Sequence, residues 1–418
     1  MKVSLILFIL FLALFRFNCA AVDSRSGFSL PKPSGSYAVG TRYFYFIDEN
    51  RPDIHTSSPD DYREISVQVW YPAEPKPNQL PMNYDKKEAA EHIVNIGFVK
   101  PSFVDEVALG SRSHSYHNAA VAKEKNSYPV ILFSASAAIN GNSLLFEELA
   151  SHGYVVFRLG HPHWCEYYLD ADGKIFFRDK EHDEYNKKMW LEENSNIVHK
   201  TKDQLTRAKT AQEKLALQRK LNKIMPVEIN DIRLWVGDIG FIIDELEKKN
   251  RSGKFFKGKL DLQKIGVMGY SKGGAAAGQA CLSDKRCQAG INLSGFMFGD
   301  VGEKQMSVPF MVIEGVEPWC RNCLPINDAL YHTSKSSIYM VQVNGATHAS
   351  FTDVPAWKEY VSEKFKNILG SIDGRRVLKI QNDYVLQFFN KHLKGLQAPL
   401  LDGPAKQYPE VIFKSCHL

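Results

Sequence analysis

Residues 264–278 read KIGVMGYSKGGAAAG, and the reading of this stretch decides the fold. An apolar run from Ile265 to Met268 ends at Gly269, and a run of small residues begins at Ala275. The first half predicts a strand buried on both faces, the second a helix packed close against it. Between them stands Ser271, in the pattern Gly-x-Ser-x-Gly. The two glycines leave room for a sharp turn in which the serine takes a strained backbone conformation. Its hydroxyl then projects above the sheet, and the N-terminus of the next helix faces it. A bare Gly-x-Ser-x-Gly arises often by chance. One placed between a buried strand and a small-residue helix is far more specific, and it makes Ser271 a nucleophile rather than a structural turn serine.

Working outward, strand-like runs alternate with helical ones. Arg42–Asp48 and Ile65–Tyr71 come first and suggest an antiparallel lead-in. Tyr128–Ser134, Tyr154–Leu159, Lys264–Gly269, Ala289–Leu293, Pro309–Glu314 and Ile338–Val343 follow. The middle runs are short, β-rich and apolar throughout, as in a parallel sheet covered on both faces. Helices are predicted over Ser143–His152, Glu228–Lys249, Pro355–Leu369 and Val377–Leu393; in the second of these, Ile232, Trp235, Ile239, Ile242 and Leu246 fall at helical spacing. Residues 165–226 are polar and rich in Lys, Glu and Gln. They read as an insertion over one end of the sheet, helical in its second half. The βα alternation implies a doubly wound α/β fold in a single domain over residues 21–418.

The chain has 418 residues, 44% of them hydrophobic, and a formal charge of +5. That supports a sizeable core. It does not argue for nucleic acid, because no basic stripe with interleaved aromatics is present. Residues 1–20, MKVSLILFILFLALFRFNCA, have the layout of a secretory signal peptide, with an uncleaved anchor as the alternative. Beyond the leader six cysteines remain, an even number that suits disulfides in an oxidising compartment. Cys281 and Cys287 are placed to pair locally, and Cys320-x-x-Cys323 reads as a structural bridge. Asn250-Arg251-Ser252 is a glycosylation sequon in a polar loop. The sequon at Asn292 lies on a buried strand end and is expected to be unused.

A nucleophilic serine needs a base. Most of the thirteen histidines fall in polar stretches or, like His161 and His163, follow a strand where they line a pocket. His348 is different: it follows the last parallel strand in NGATHASFTD, residues 344–353. In α/β hydrolases the base occupies that place, in the chain order serine, acid, histidine.

With these segments assembled, the chain resembles the platelet-activating factor acetylhydrolases and their esterase relatives. The resemblance rests on GSYAVGT (35–41), VWYPA (69–73), YPVILFS (128–134), LASHGYVV (149–156), GYSKGG (269–274), AGINLSGFMFG (289–299) and GATHASFTD (345–353), in family order. It implies an α/β-hydrolase fold, with a mostly parallel central sheet flanked by helices and a helical polar insertion. It implies a serine esterase acting on short-acyl or phospholipid-type esters through a Ser–His–Asp triad, without metal or cofactor. Ser271 and His348 match the serine and histidine. The oxyanion donors fall on the backbone N–H groups of Lys272 and Ala137.

Two positions depart from the family. Ser294 stands where the family has its aspartate, and the oxyanion loop reads FSASAA (133–138) in place of a glycine-containing turn. The acid is then sought among Glu317, Glu314 and Asp300, with Glu317 nearest the place used by other α/β hydrolases, or in a water held by Ser294. Two readings besides a secreted esterase stay open: a binding protein on a degraded hydrolase scaffold, and an acyl-transferring enzyme that reuses the pocket. The expected partners are small-molecule or lipid esters, with peripheral contact to a membrane or lipoprotein surface through the insertion.

Overall fold

The apolar runs assemble into one large sheet. The computed structural model describes residues 28–416 apart from 57, 59, 137–140, 163, 178–179, 317–326, 328–329 and 331–333. The leader, Ala137, Glu317 and the Cys320–Cys323 pair therefore lie outside the described residues. In chain order the strands are β1 (Ala38–Pro52), β2 (Tyr62–Glu74), β3 (Ser115–His117), β4 (Ala120–Val121), β5 (Tyr128–Ala135), β6 (Val155–Gly160), the hairpin β7 (Tyr167–Leu169) and β8 (Ile175–Phe177), β9 (Leu260–Tyr270), β10 (Cys287–Leu293), β11 (Phe310–Gly315), β12 (Ile338–Val343) and β13 (Val411–Cys416). The main sheet runs β13-β12-β11-β10-β9-β5-β6-β2-β1-β3, with β4 against β2. From β6 through β12 every pairing is parallel, while β1, β2 and β13 join antiparallel. This is the α/β-hydrolase architecture, with the predicted lead-in at one edge.

The central strands are apolar throughout because both faces are covered. Along β5, Val130 and Leu132 enter one core while Ile131 and Phe133 enter the other, as alternation requires. The covering helices are α1 (Lys87–Asn95), α2 (Ser143–Ser151), α3 (Lys180–Glu193), α4 (Asn196–Arg207), α5 (Ala211–Ile224), α6 (Pro226–Ser252), α7 (Lys272–Ser283) and α8 (Gly374–Lys394). The residues of α6 picked out by spacing, Ile232 to Leu246, are all buried. Helix α7 is built of small residues, and its backbone lies close to β9 and β10. Helices α3, α4 and α5 and the β7–β8 hairpin fall in the polar insertion. They join the core through Val198, Leu205 and Leu221 and bond to the loop after β10, with Gln218 Nε2 donating to Met297 O and Asn222 Nδ2 donating to Gly299 O.

Several expectations change. Pro355–Leu369 is two short 3₁₀ segments, Val354–Tyr360 and Glu363–Leu369, and not one α-helix. Trp357 interrupts it with φ −128° and ψ 35°, and Val361 forms a bridge to Val99. Cys281 and Cys287 form the local disulfide, whereas Cys165 is buried without one, so the cysteines do not all pair. Asn250 lies in the last turn of α6, not in a loop, and its amide is engaged twice with the Leu260 backbone. Among the described residues no helix is long and apolar enough to cross a membrane.

Candidate active site

The elbow takes the strained form its glycines suggest. Ser271 follows β9 as the N-cap of α7, with φ 56° and ψ −126°, a region that β-carbon sterics disfavour and that persists only where the surroundings enforce it. They do so by close approach. A Cβ on Gly269 would stand 2.1 Å from Gly273 O, and one on Gly273 would stand 2.0 Å from Ser134 O. Strand, turn and helix thus meet at distances only glycine permits. Lys272 is the first residue of α7, so its N–H is one of the donors the helix leaves unused.

His348 faces the elbow from the turn after β12. Its Nε2 lies 3.1 Å from Ser271 Oγ, and its ring stacks on Tyr270 at 4.8 Å, while the Tyr270 hydroxyl donates to His348 O. The turn is tied down from below: Ser350 Oγ donates to Leu369 O and Thr347 Oγ1 to Ile368 O. On the other side of the ring, Nδ1 lies 3.0 Å from Ser294 Oγ. Ser294 directly follows β10 and also has positive φ, 54°. The structure therefore brings together Ser271, His348 and Ser294.

The other acid candidates lie elsewhere. Glu314 is fully buried and accepts from Asn327 Nδ2 at 2.8 Å and Gln342 Nε2 at 3.1 Å. Asp300 pairs with Lys304 and accepts from Gln279. Neither bonds to the His348 ring.

His161 is not a pocket residue. It is fully buried behind the elbow, with Nε2 2.8 Å from Ser134 Oγ and Nδ1 2.8 Å from Asp238 Oδ2. Its ring lies flat on Trp235 at 4.2 Å. Asp238 in turn receives two bonds from Arg63, at 3.1 and 2.8 Å. Burial pushes the Asp238 carboxyl up, but the Arg63 guanidinium and His161 outweigh it and hold the group well below the usual carboxylate range. Asp238 was detectable in the sequence: it stands three residues after Trp235 and four before Ile242, on the apolar face of α6, where a carboxylate needs a partner.

The side chain of Lys272 points away from the nucleophile into the base of the insertion. Its ammonium lies 2.8 Å from both Glu228 Oε2 and Asp231 Oδ2 and 3.6 Å from the centre of the Trp164 ring. Burial would lower its pKa; the two carboxylates outweigh that and raise it. Tyr185 of α3 donates to the same Asp231, so the insertion and the elbow share one buried charge cluster. Among the described residues no group of His, Cys, Asp and Glu is placed to hold a metal ion.

A family model described as platelet-activating factor acetylhydrolase, isoform II, matches residues 22–400. The chain belongs to this family. A probable 1-alkyl-2-acetylglycerophosphocholine esterase from Arthroderma benhamiae is 24% identical over 95% of this chain and 96% of its own. The platelet-activating factor acetylhydrolase of Bos taurus is 23% identical over 88% of this chain and 78% of its own. Among solved structures, the ferulic acid esterase from Streptomyces cinnamoneus superposes with a TM-score of 0.70, covering 93% of this chain and 99% of its own at 22% identity; it shares the fold. Membership of the acetylhydrolase family makes this chain an esterase-type hydrolase.

Proposed function

We propose that the chain is a secreted serine esterase that acts through an acyl-enzyme on Ser271, on esters with short acyl chains, including those of phospholipids. The observation that carries this reading is Ser271 Oγ, held at φ 56° and 3.1 Å from His348 Nε2. A serine is kept in such a conformation where its hydroxyl must stand clear of the backbone. With Nδ1 protonated and donating to Ser294 Oγ, Nε2 is the free base. Ser271 Oγ attacks the ester carbonyl carbon and its proton passes to Nε2. The N–H of Lys272 supplies one oxyanion donor, and the sequence points to Ala137, outside the described residues, for the second. His348 returns the proton to the departing alkoxide as the C–O bond breaks. A water, deprotonated by the same nitrogen, then releases the acid.

Ser294 performs part of the task of a carboxylate. Its hydroxyl oxygen accepts from Nδ1–H and so selects the tautomer and orientation of the ring. It has no charge with which to stabilise the imidazolium, and replacing the triad aspartate by a neutral group costs on the order of 10⁴ in turnover in a serine protease. The proposed enzyme is therefore a slow one. The same contact, a hydroxyl where a carboxylate would stand, favours the second reading, a binding protein on a degraded scaffold.

The leader at residues 1–20 and the Cys281–Cys287 disulfide support secretion. The insertion exposes Trp190 and Leu191 at the end of α3 and Ile197 at the start of α4, large apolar side chains suited to a lipid surface. Labelling with a fluorophosphonate probe tests the reading. Labelling of the wild type that vanishes in both Ser271→Ala and His348→Ala supports the esterase. A folded wild type that takes no label supports the binding protein.

A further inference from the structure

Beside the His348 turn lies a cavity of about 390 Å³ that the proposed chemistry does not use. Its lining includes Tyr43, Gln68, Lys86, Asn142, Glu147 and Arg158. Arg158 is unexpected there. On β6 its neighbours Phe157 and Leu159 enter one core, and Val156, two residues earlier, enters the other. Arg158 shares the face of Val156, where alternation calls for an apolar residue. A guanidinium taken partly out of water is costly unless an acceptor meets it. Elsewhere in the chain arginines are met: Arg63 by Asp238, Arg286 by Asp284, Arg376 by Glu410. Arg158 has no hydrogen bond or ion pair with any described residue. Lys86, also half-buried, has its ammonium 5.8 Å above the Tyr43 ring and no carboxylate partner.

The carboxylates of the lining, Asp85, Glu88 and Glu147, bond to neither the Arg158 guanidinium nor the Lys86 ammonium. Glu147 Oε1 accepts from His114 N–H and Ser115 Oγ, while its buried Oε2 has no partner. Burial pushes this carboxyl up to about 8, so near neutral pH it carries a proton and offers a donor. Asp85 accepts the Lys86 N–H, and Glu88 is exposed on α1.

The cavity also lies close to the reacting centre. A Cβ on Gly141 would stand 3.5 Å from Arg158 Nε. Gly141 O accepts from Asp353 N, and Asn142 Nδ2 donates to Phe351 O, three residues after His348. Across the sheet Arg158 pairs with Phe133 and Phe133 with Met268. Arg158 is thus two strand spacings, about 10 Å, from Met268, three residues before Ser271.

We propose that Arg158, with Lys86 and the Asn142 amide, forms an anion subsite that takes a phosphoryl group carried on the ester substrate. The proposal rests on the esterase reading, and its test is built to fail separately from that reading. Inorganic phosphate is titrated into full-length Ser271→Ala protein at fixed salt. Binding is then compared after adding Arg158→Met, Arg158→Lys or Lys379→Gln, the last an exposed lysine away from the cavity, paired with Asp383 at 3.0 Å. Loss of charge-assisted hydrogen bonds predicts at least about tenfold weaker phosphate binding in Arg158→Met and a smaller loss in Arg158→Lys. Equal binding with and without Arg158, or the same loss in Lys379→Gln, overturns the subsite in favour of general surface charge. Should Arg158→Met not fold, Arg158→Lys and Lys86→Gln carry the same comparison. In the active protein, the ratio of kcat/KM for a phosphoryl-bearing ester to that for its uncharged analogue falls at least about tenfold in Arg158→Met; an unchanged ratio overturns the proposal. A fall seen with monomeric soluble phosphate esters and with phosphatidylcholine vesicles assigns the subsite to phosphate esters at large. A fall confined to the vesicles assigns it to the lipid headgroup. A wild type with no esterase activity removes the esterase reading and leaves the phosphate titration standing on its own.

Discussion

Ser134 and Ser271 each hold an imidazole within hydrogen-bond distance, on adjacent strands. Ser134 has the fuller set of partners: His161 at 2.8 Å and, beyond it, the carboxylate of Asp238 at 2.8 Å. Ser271 has His348 at 3.1 Å and, beyond it, only the hydroxyl of Ser294. Yet Ser134 sits inside a regular strand with no exposure to solvent, and no substrate can reach it. Ser271 lies partly open at the end of its strand, in a conformation few serines adopt. The pair of contacts separates two ingredients that catalytic triads combine. A carboxylate behind the histidine sets its orientation and charge. The turn that carries the serine sets whether an ester can meet it. The buried chain has the first and the elbow has the second.

The largest expected difference between the two is in reactivity. Ser271→Ala abolishes fluorophosphonate labelling and lowers ester turnover by on the order of 10⁴ or more, whereas Ser134→Ala keeps labelling within about tenfold of the wild type. Labelling that survives in the first variant and vanishes in the second would invert the comparison. Next comes the stability held in the buried chain. Asp238→Asn leaves Arg63 buried beside a neutral amide, and breaking such a pair costs about 3–5 kcal/mol, read as a fall in the urea midpoint at constant slope. A loss below about 1 kcal/mol would mean that Asp53, 3.6 Å from Arg63, carries the charge instead.

Ser294→Asp gives the elbow what the buried chain already has. Aspartate tolerates positive φ, and the substitution is expected to raise kcat by about tenfold or more. A fall in kcat would show that the hydroxyl is the fitted partner of this imidazole. The smallest effect is in pH dependence. Burial raises the Glu147 carboxyl from 4.5 to about 8, with Ser115, the His114 N–H and Asp353 as its neighbours. The folded state then prefers the protonated form, so the contribution of Glu147 to stability is full below pH 4.5 and is lost as pH rises toward 8. Asp353, raised by burial to about 7, acts with the same sign over a window ending lower. Glu147→Gln should therefore flatten the fall in thermal midpoint between pH 5 and pH 8. An unchanged profile would assign the fall to Asp353.

The sequence showed the elbow because Gly269, Ser271 and Gly273 sit within five residues and their constraint is local. It showed His348 because chain order after the last parallel strand is also a local property. The buried pairing of His161 with Asp238 joins residues 77 apart, and only the carboxylate of Asp238 among the apolar residues of α6 hinted at it. Strand β13 escaped notice because it is an edge strand in which only Val411 is buried. The 3₁₀ segments at 354–369 read as a helix because their periodicity is helical. Between them Val361 is engaged in a tertiary contact, the bridge to Val99, which no propensity encodes.

Lys272 has a bearing on any attempt to graft or exchange the insertion. Its amide follows the nucleophile, and its ammonium is neutralised by Glu228 and Asp231 at the start of α6. A chimera whose junction falls after residue 231 removes both counter-charges and strands a cation behind the turn it was meant to leave alone. The modular boundary of this chain therefore lies before Glu228, and an exchange made there keeps the charge cluster with the elbow.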